Sequence, residues 1–146
     1  MNWKPTVESG LHGERYLSET IENVGLTPSE AHAPGVYALE LCVPDPHTEA
    51  MVAQAWKSVH DVLPPFFDRL VEAERYIYVG AAKDVFDRIE DHLASQTRTS
   101  AVCEAFPVHS VFDVWLSESV DKAFEEETNR AIQLGYAMPN CYVHSR

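Results

Sequence analysis

Two runs dense in β-branched and aromatic residues constrain what this chain can fold into. The first, Gly35-Val36-Tyr37-Ala38-Leu39-Glu40-Leu41-Cys42-Val43, stops at Pro44, and the second is Arg75-Tyr76-Ile77-Tyr78-Val79-Gly80. Both read as strands. Between them Met51, Val52, Ala55, Trp56 and Val59 mark one helical face over residues 48–60, capped by Thr48 with Glu49 in the first turn. Pro64-Pro65 breaks that helix, and a short helix over residues 65–72 turns Phe66, Phe67 and Leu70 inward. Past the second strand, Asp84 caps a helix to about Ala94 with Val85, Ile89 and Leu93 on its core side. A polar loop over residues 95–100, a third strand from Val108 to Leu116 and a last helix over residues 121–134, closed by Gly135, complete the reading. The expected fold is α/β in the α+β sense: a small, mostly antiparallel three-stranded sheet flanked by helices, with a helical insertion at residues 44–74 between the first two strands. Residues 1–34 read as an N-terminal arm, with Ser18 capping a helix to Val24 that lines up Tyr16, Ile21 and Val24; residues 35–146 form the domain.

A chain of 146 residues fits one such domain, and 45% hydrophobic residues suffice for its core. No apolar run reaches the roughly 20 residues of a membrane span, and Met1-Asn2-Trp3-Lys4-Pro5 opens no signal peptide, so the expected location is cytoplasmic. Cys42, Cys103 and Cys141 are odd in number and form no CxxC pair, which argues against a zinc ribbon or a disulfide framework. The formal net charge of −12 repels phosphate on average. Yet 23 acids are dispersed and only 4 of the 11 Lys and Arg residues are lysine, which suggests a chain suited to molar intracellular salt, with a plain acidic cytosolic protein as the alternative. In such salt, screening confines repulsion to about 3 Å, and net charge says little about partners.

One constellation carries chemistry. Tyr37 lies near the start of the first strand and Tyr78 near the end of the second; Arg88 and His92 follow one helical turn apart and project the same way. Taken singly, each has an ordinary role: strand tyrosines with wet hydroxyls, an arginine paired with Asp84 or Asp91, and, later, a solvated acidic face at Glu125-Glu126-Glu127. Together, a tyrosine, an arginine and a histidine can hold a phosphate and move a proton. His12, His32, His47, His60, His109 and His144 show no metal-ligand spacing and receive no role.

Gly35-Val36-Tyr37, Tyr78-Val79-Gly80, Arg88 and His92, with a glutamate on the last helix and Pro139-Asn140 near the end, resemble the GIY-YIG endonuclease family over residues 35–140. The segment from Tyr78 to His92 looks particularly like the phage homing endonucleases, and the same core nicks DNA in excision repair. The resemblance implies a GIY-YIG-like fold and hydrolysis of DNA phosphodiesters by a single-metal, tyrosine-assisted mechanism. Arg88 would meet the phosphate, Tyr37 or Tyr78 would activate water, His92 would assist the proton transfer, and Asn140 would orient the site. Mg²⁺ or Mn²⁺ would sit on Glu127, which should point nearest the core, with Glu126 the next choice. DNA is the expected substrate, with structured or single-stranded forms and RNA left open, and the insertion at 44–74 could serve a homodimer or a protein partner. The alternative is a non-catalytic GIY-YIG-fold module that binds nucleic acid or protein.

Overall fold

The structure, a computed structural model, describes residues 17–94 and 100–145. Four strands form one mixed sheet in the order β3-β1-β2-β4: β1 (Gly35–Leu41), β2 (Arg75–Ala82), β3 (Val108–Leu116) and β4 (Cys141–Ser145). β1 pairs antiparallel with β2 (Tyr37↔Gly80, Leu39↔Tyr78) and with β3, whereas β4 runs parallel to β2 (Tyr76↔Tyr142, Tyr78↔His144). The expected three-stranded sheet is therefore corrected to four strands. Tyr142 and Val143 supply strand-forming side chains, but the run is five residues long and its signal is diluted by the polar residues around it.

Helices cover both faces of the sheet, and none among the described residues is long and apolar enough to cross a membrane. On one face, α1 (helical from residue 17 to 22) places Leu17 and Ile21 in the core, while Tyr16 lies outside the described residues. Gly25, at φ +86°, ends α1: its N–H donates to the Glu22 carbonyl and that of Leu26 to Ile21, the paired bonds of a Schellman stop. α2 (Pro28–Ala31) opens with a capping box between Thr27 and Glu30. The insertion forms α3 (Glu49–Lys57) and α4 (Phe67–Glu72). Thr48 accepts from the Met51 N–H as expected, and Trp56 and Phe66 pack edge to face at 5.8 Å in the same core as Leu70. The apolar face of the insertion thus covers the sheet. α5 (Val85–Ala94) buries Val85, Ile89 and Leu93, capped by Asp84 accepting from the Asp87 N–H.

α6 (Ala101–Ala105), capped by Ser100, follows the expected polar loop in a stretch assigned no element; its five residues are too few for a helical period to show. Among the described residues α7 (Val120–Ala137) covers the opposite face, over Val36, Ala38, Ile77 and Val79. It runs through Gly135, where a stop is expected, because Gly135 takes no left-handed conformation and the cap falls at Met138. Buried Ala123 and Ala131 let α7 approach the sheet closely, and each fully buried Val or Ile beneath contributes about 1.5–3 kcal/mol.

Candidate active site

The sheet register sets the site. Side chains alternate between faces along a strand, so Tyr37, Leu39 and Leu41 share the face covered by α5, as does Tyr78 on the neighbouring strand. Tyr37 lies opposite Gly80, and this explains the glycine. A β-carbon at position 80 would stand 2.6 Å from Cζ of Tyr37, closer than real contacts allow. The empty position holds the phenol ring, which lies diagonally beside Tyr78 with ring centroids 6.4 Å apart.

Arg88 and His92, four residues apart on α5, both reach Tyr37. Nε2 of His92 is 3.0 Å from the Tyr37 hydroxyl, and the Arg88 side chain is hydrogen-bonded to the same hydroxyl. A guanidinium can only donate, so the phenol oxygen accepts from Arg88, and the direction of its bond with Nε2 follows the His92 tautomer. Burial holds the Tyr37 hydroxyl well above the ordinary phenol range; Tyr78 adds to this and Arg88 opposes it. Burial, and then the charge of Arg88, push His92 down to about 3, so its imidazole is neutral near pH 7. Its Nδ1 is buried with no partner among the described residues.

Tyr37, Tyr78 and His92 are 1%, 2% and 4% exposed, and only Arg88, at 31%, opens the group to solvent. The Arg88 contact with Asp91 is long, 3.9 Å, and half-exposed, which makes it a weak competitor for a phosphate. The arrangement can hold an anion at Arg88 and carry a proton from the Tyr37 oxygen to His92.

Four of the six expected site residues, Tyr37, Tyr78, Arg88 and His92, are therefore brought together across 55 positions of sequence. Glu127 and Asn140 lie elsewhere. Of the three consecutive glutamates, Glu127 is the buried one, at 5% exposure, on the stripe of α7 between Ala123 and Ala131. Glu126 is half-buried and accepts from the Ser117 hydroxyl. α7 faces the side of the sheet away from Tyr37, so a hydrated Mg²⁺ or Mn²⁺ on Glu127 does not fit beside the tyrosines. Asn140 is exposed before β4 and lines a cleft of about 520 Å³ with Arg69, Glu72 and Tyr142.

Among the described residues one group, His32, Asp84 and Asp87, brings three potential metal-ligand atoms within 4.8 Å of one another. It is largely exposed and already bonded internally: His32 Nδ1 lies 3.0 Å from the Asp84 carboxylate, which also caps α5.

His144, given no role from the sequence, stands in the site region. It pairs with Tyr78 across β2 and β4, their rings stack at 6.2 Å, and its Nδ1 lies 2.6 Å from the Tyr142 hydroxyl. The available signal was the period-two placement of Tyr142 and His144, which puts both on one face once β4 is recognised. Compared with protein-family models, with curated proteins and with solved structures, the chain matches none.

Proposed function

We propose that the protein is an endonuclease of the GIY-YIG type that hydrolyses phosphodiester bonds in DNA. The observation that carries this reading is the convergence of Arg88 and His92 on one tyrosine hydroxyl, over a glycine that leaves room for it. These are the residues whose order in the sequence resembles the family, and their side chains form one chemical unit. The antiparallel β3-β1-β2 portion of the sheet, with helices on both faces, suits the GIY-YIG-like fold expected from the same resemblance.

In the proposed reaction Arg88 holds the scissile phosphate by its half-exposed guanidinium and offsets charge that builds at phosphorus. A water attacks as its proton passes to the Tyr37 oxygen and the phenol proton passes to Nε2 of His92. This relay avoids a free phenolate, which burial disfavours. The imidazolium that forms is disfavoured by burial and by Arg88, and anionic substrate beside Arg88 offsets part of that cost. Access of water to Tyr37 requires Arg88 and its surroundings to shift on binding. The divalent cation implied by the resemblance would have to be held by groups other than Glu127, which lies on the opposite face of the sheet.

The near-complete burial of Tyr37, Tyr78 and His92 favours a second reading, a module of the same fold that binds nucleic acid or protein at Arg88 without cutting. Incubation with supercoiled plasmid, with Mg²⁺, Mn²⁺ or EDTA and from low to molar KCl, separates the two. Nicking that EDTA stops and that Arg88→Ala reduces by about 10²-fold or more is the expected outcome. A folded wild-type chain that cuts nothing under any condition would overturn the nuclease reading and leave the binding module.

A further inference from the structure

Tyr78 has an imidazole on either side. Toward α5 the His92 ring lies at 5.6 Å; toward β4 the His144 ring lies at 6.2 Å and only 22° from parallel. Each histidine is bonded to a second tyrosine, His92 to Tyr37 at 3.0 Å and His144 to Tyr142 at 2.6 Å. Each pair also has its own arginine. Arg88 bonds the Tyr37 hydroxyl, and the Arg69 guanidinium lies over the Tyr142 ring at 5.0 Å. The same three side-chain types therefore occur twice on one face of the sheet, with Tyr78 between them.

The two groups differ in exposure. His92 is closed at 4%, whereas His144 is half-buried and Arg69 is exposed. Phe66, stacked on Tyr142 at 5.2 Å and 5.1 Å from the His144 ring, braces the second group from the insertion. The bond to Tyr142 occupies Nδ1 of His144 and leaves Nε2 as the nitrogen available to a substrate.

We infer that His144, positioned by Tyr142 and Tyr78, is a further functional residue of this site and delivers a proton from Nε2 to the leaving oxygen of the phosphodiester. The inference rests on the nuclease reading above. In-line hydrolysis needs a proton acceptor on the side of the attacking water and a proton donor on the side of the leaving group. Water oxygen forms the new bond to phosphorus and gives its proton toward Tyr37 and His92. The bond from phosphorus to the leaving oxygen breaks, its electron pair stays on that oxygen, and the Nε2 proton of His144 neutralises it. One proton is gained on the first side and one lost on the second, and exchange with solvent resets both. Arg69 places a second positive charge on the leaving side, where the departing strand carries its next phosphate.

Among the described residues, the titratable or charged groups that face His144 are Tyr78 from β2, Tyr142 from its own strand and Arg69 from α4. Burial, and then Arg69, favour its neutral form, so the proton-carrying form is populated toward acid. Cleavage should fall as pH rises through a value below the ordinary imidazole range, and this limb should vanish without His144.

The test compares an ordinary oligonucleotide with two in which sulfur replaces the bridging 3′ or 5′ oxygen at one linkage. A thiolate leaves without needing a proton. His144→Gln should slow cleavage of the oxygen linkage by about 10²-fold. It should cut whichever sulfur linkage wild type accepts within about threefold of the wild-type rate, which also certifies that the variant is folded. Arg88→Ala should be slow on both. Equal losses of His144→Gln on oxygen and sulfur substrates, or no loss on either, would overturn the role of His144 while leaving the nuclease standing. Failure of wild type to cut any substrate would overturn both.

Discussion

His92 gives the fold a specific sensitivity to acid. Its imidazole ionises at the ordinary 6.5 in the unfolded chain and at about 3 in the folded one, because burial and then Arg88 penalise the charged form. Between those values the unfolded chain binds a proton that the folded chain refuses. The stability this group contributes is therefore present in full above about pH 6.5 and is lost as pH falls toward 3. At about 1.36 kcal/mol per pH unit once the unfolded ring is protonated, the loss from pH 7.5 to 5 is about 2 kcal/mol. Urea unfolding of wild type and His92→Gln at pH 7.5, 6.5, 5.5 and 5 measures it. Other groups, His144 and the carboxylates included, titrate in both chains and cancel in the difference. Wild type should lose about 2 kcal/mol relative to the variant over that range, a relative movement of about 1 M urea in the midpoints. An NMR titration of the wild-type ring, which stays neutral to below pH 5, gives the same answer should the variant fold poorly. Parallel stability curves, or a ring that protonates near pH 6.5, would refute the account of His92 as a desolvated base beside a cation.

Gly80→Ala tests the space left for Tyr37: the added methyl meets the phenol ring, so the chain should lose about 1–3 kcal/mol in thermal or urea unfolding and any plasmid nicking should fall with it. Tyr76→Phe probes the insertion's hold on the sheet. The fully buried Tyr76 hydroxyl donates to the Leu70 carbonyl at 2.7 Å, and its removal strands that carbonyl at a cost of about 1–3 kcal/mol, with Tyr37 and His92 untouched.

The elements that were legible in the sequence are those with a long period or a dense β signal. β1, β2, β3 and α5 fall where alternation and helical spacing put them, and Thr48 and Asp84 cap the helices they were expected to cap. α6 and β4 were missed because five residues carry too few repeats of either period to stand out. Gly135 misled because glycine at the end of a periodic run usually marks a left-handed stop, and here the helix carries on for two residues beyond it. At the site, spacing alone put Arg88 and His92 on one side of α5. The partner they share could not be read from spacing, because it depends on the register Tyr37↔Gly80 between strands separated by the insertion. Likewise, Glu127 was correctly expected to be the innermost of three glutamates, but helical periodicity does not reveal which face of the sheet a helix covers.

Packing alone does not account for the Tyr37, His92 and Arg88 group. A phenylalanine at 37 and a leucine at 92 would fill comparable space without a buried hydroxyl or an imidazole whose Nδ1 finds no partner among the described residues. An unsatisfied buried polar atom costs about 1–3 kcal/mol, and a histidine held neutral adds the acid sensitivity worked out above. The opposite face is largely apolar, with Val36, Ala38, Ile77 and Val79 closed over by Ala123 and Ala131 of α7 and the buried Glu127 as its exception. The two faces of one sheet are thus built on different terms. On the α7 face the chain uses small and branched apolar residues around one buried glutamate. On the face with Tyr37 and Tyr78 it sets two tyrosine–histidine pairs and an arginine beside each, the groups that the proposed proton transfer at a bound phosphate would use.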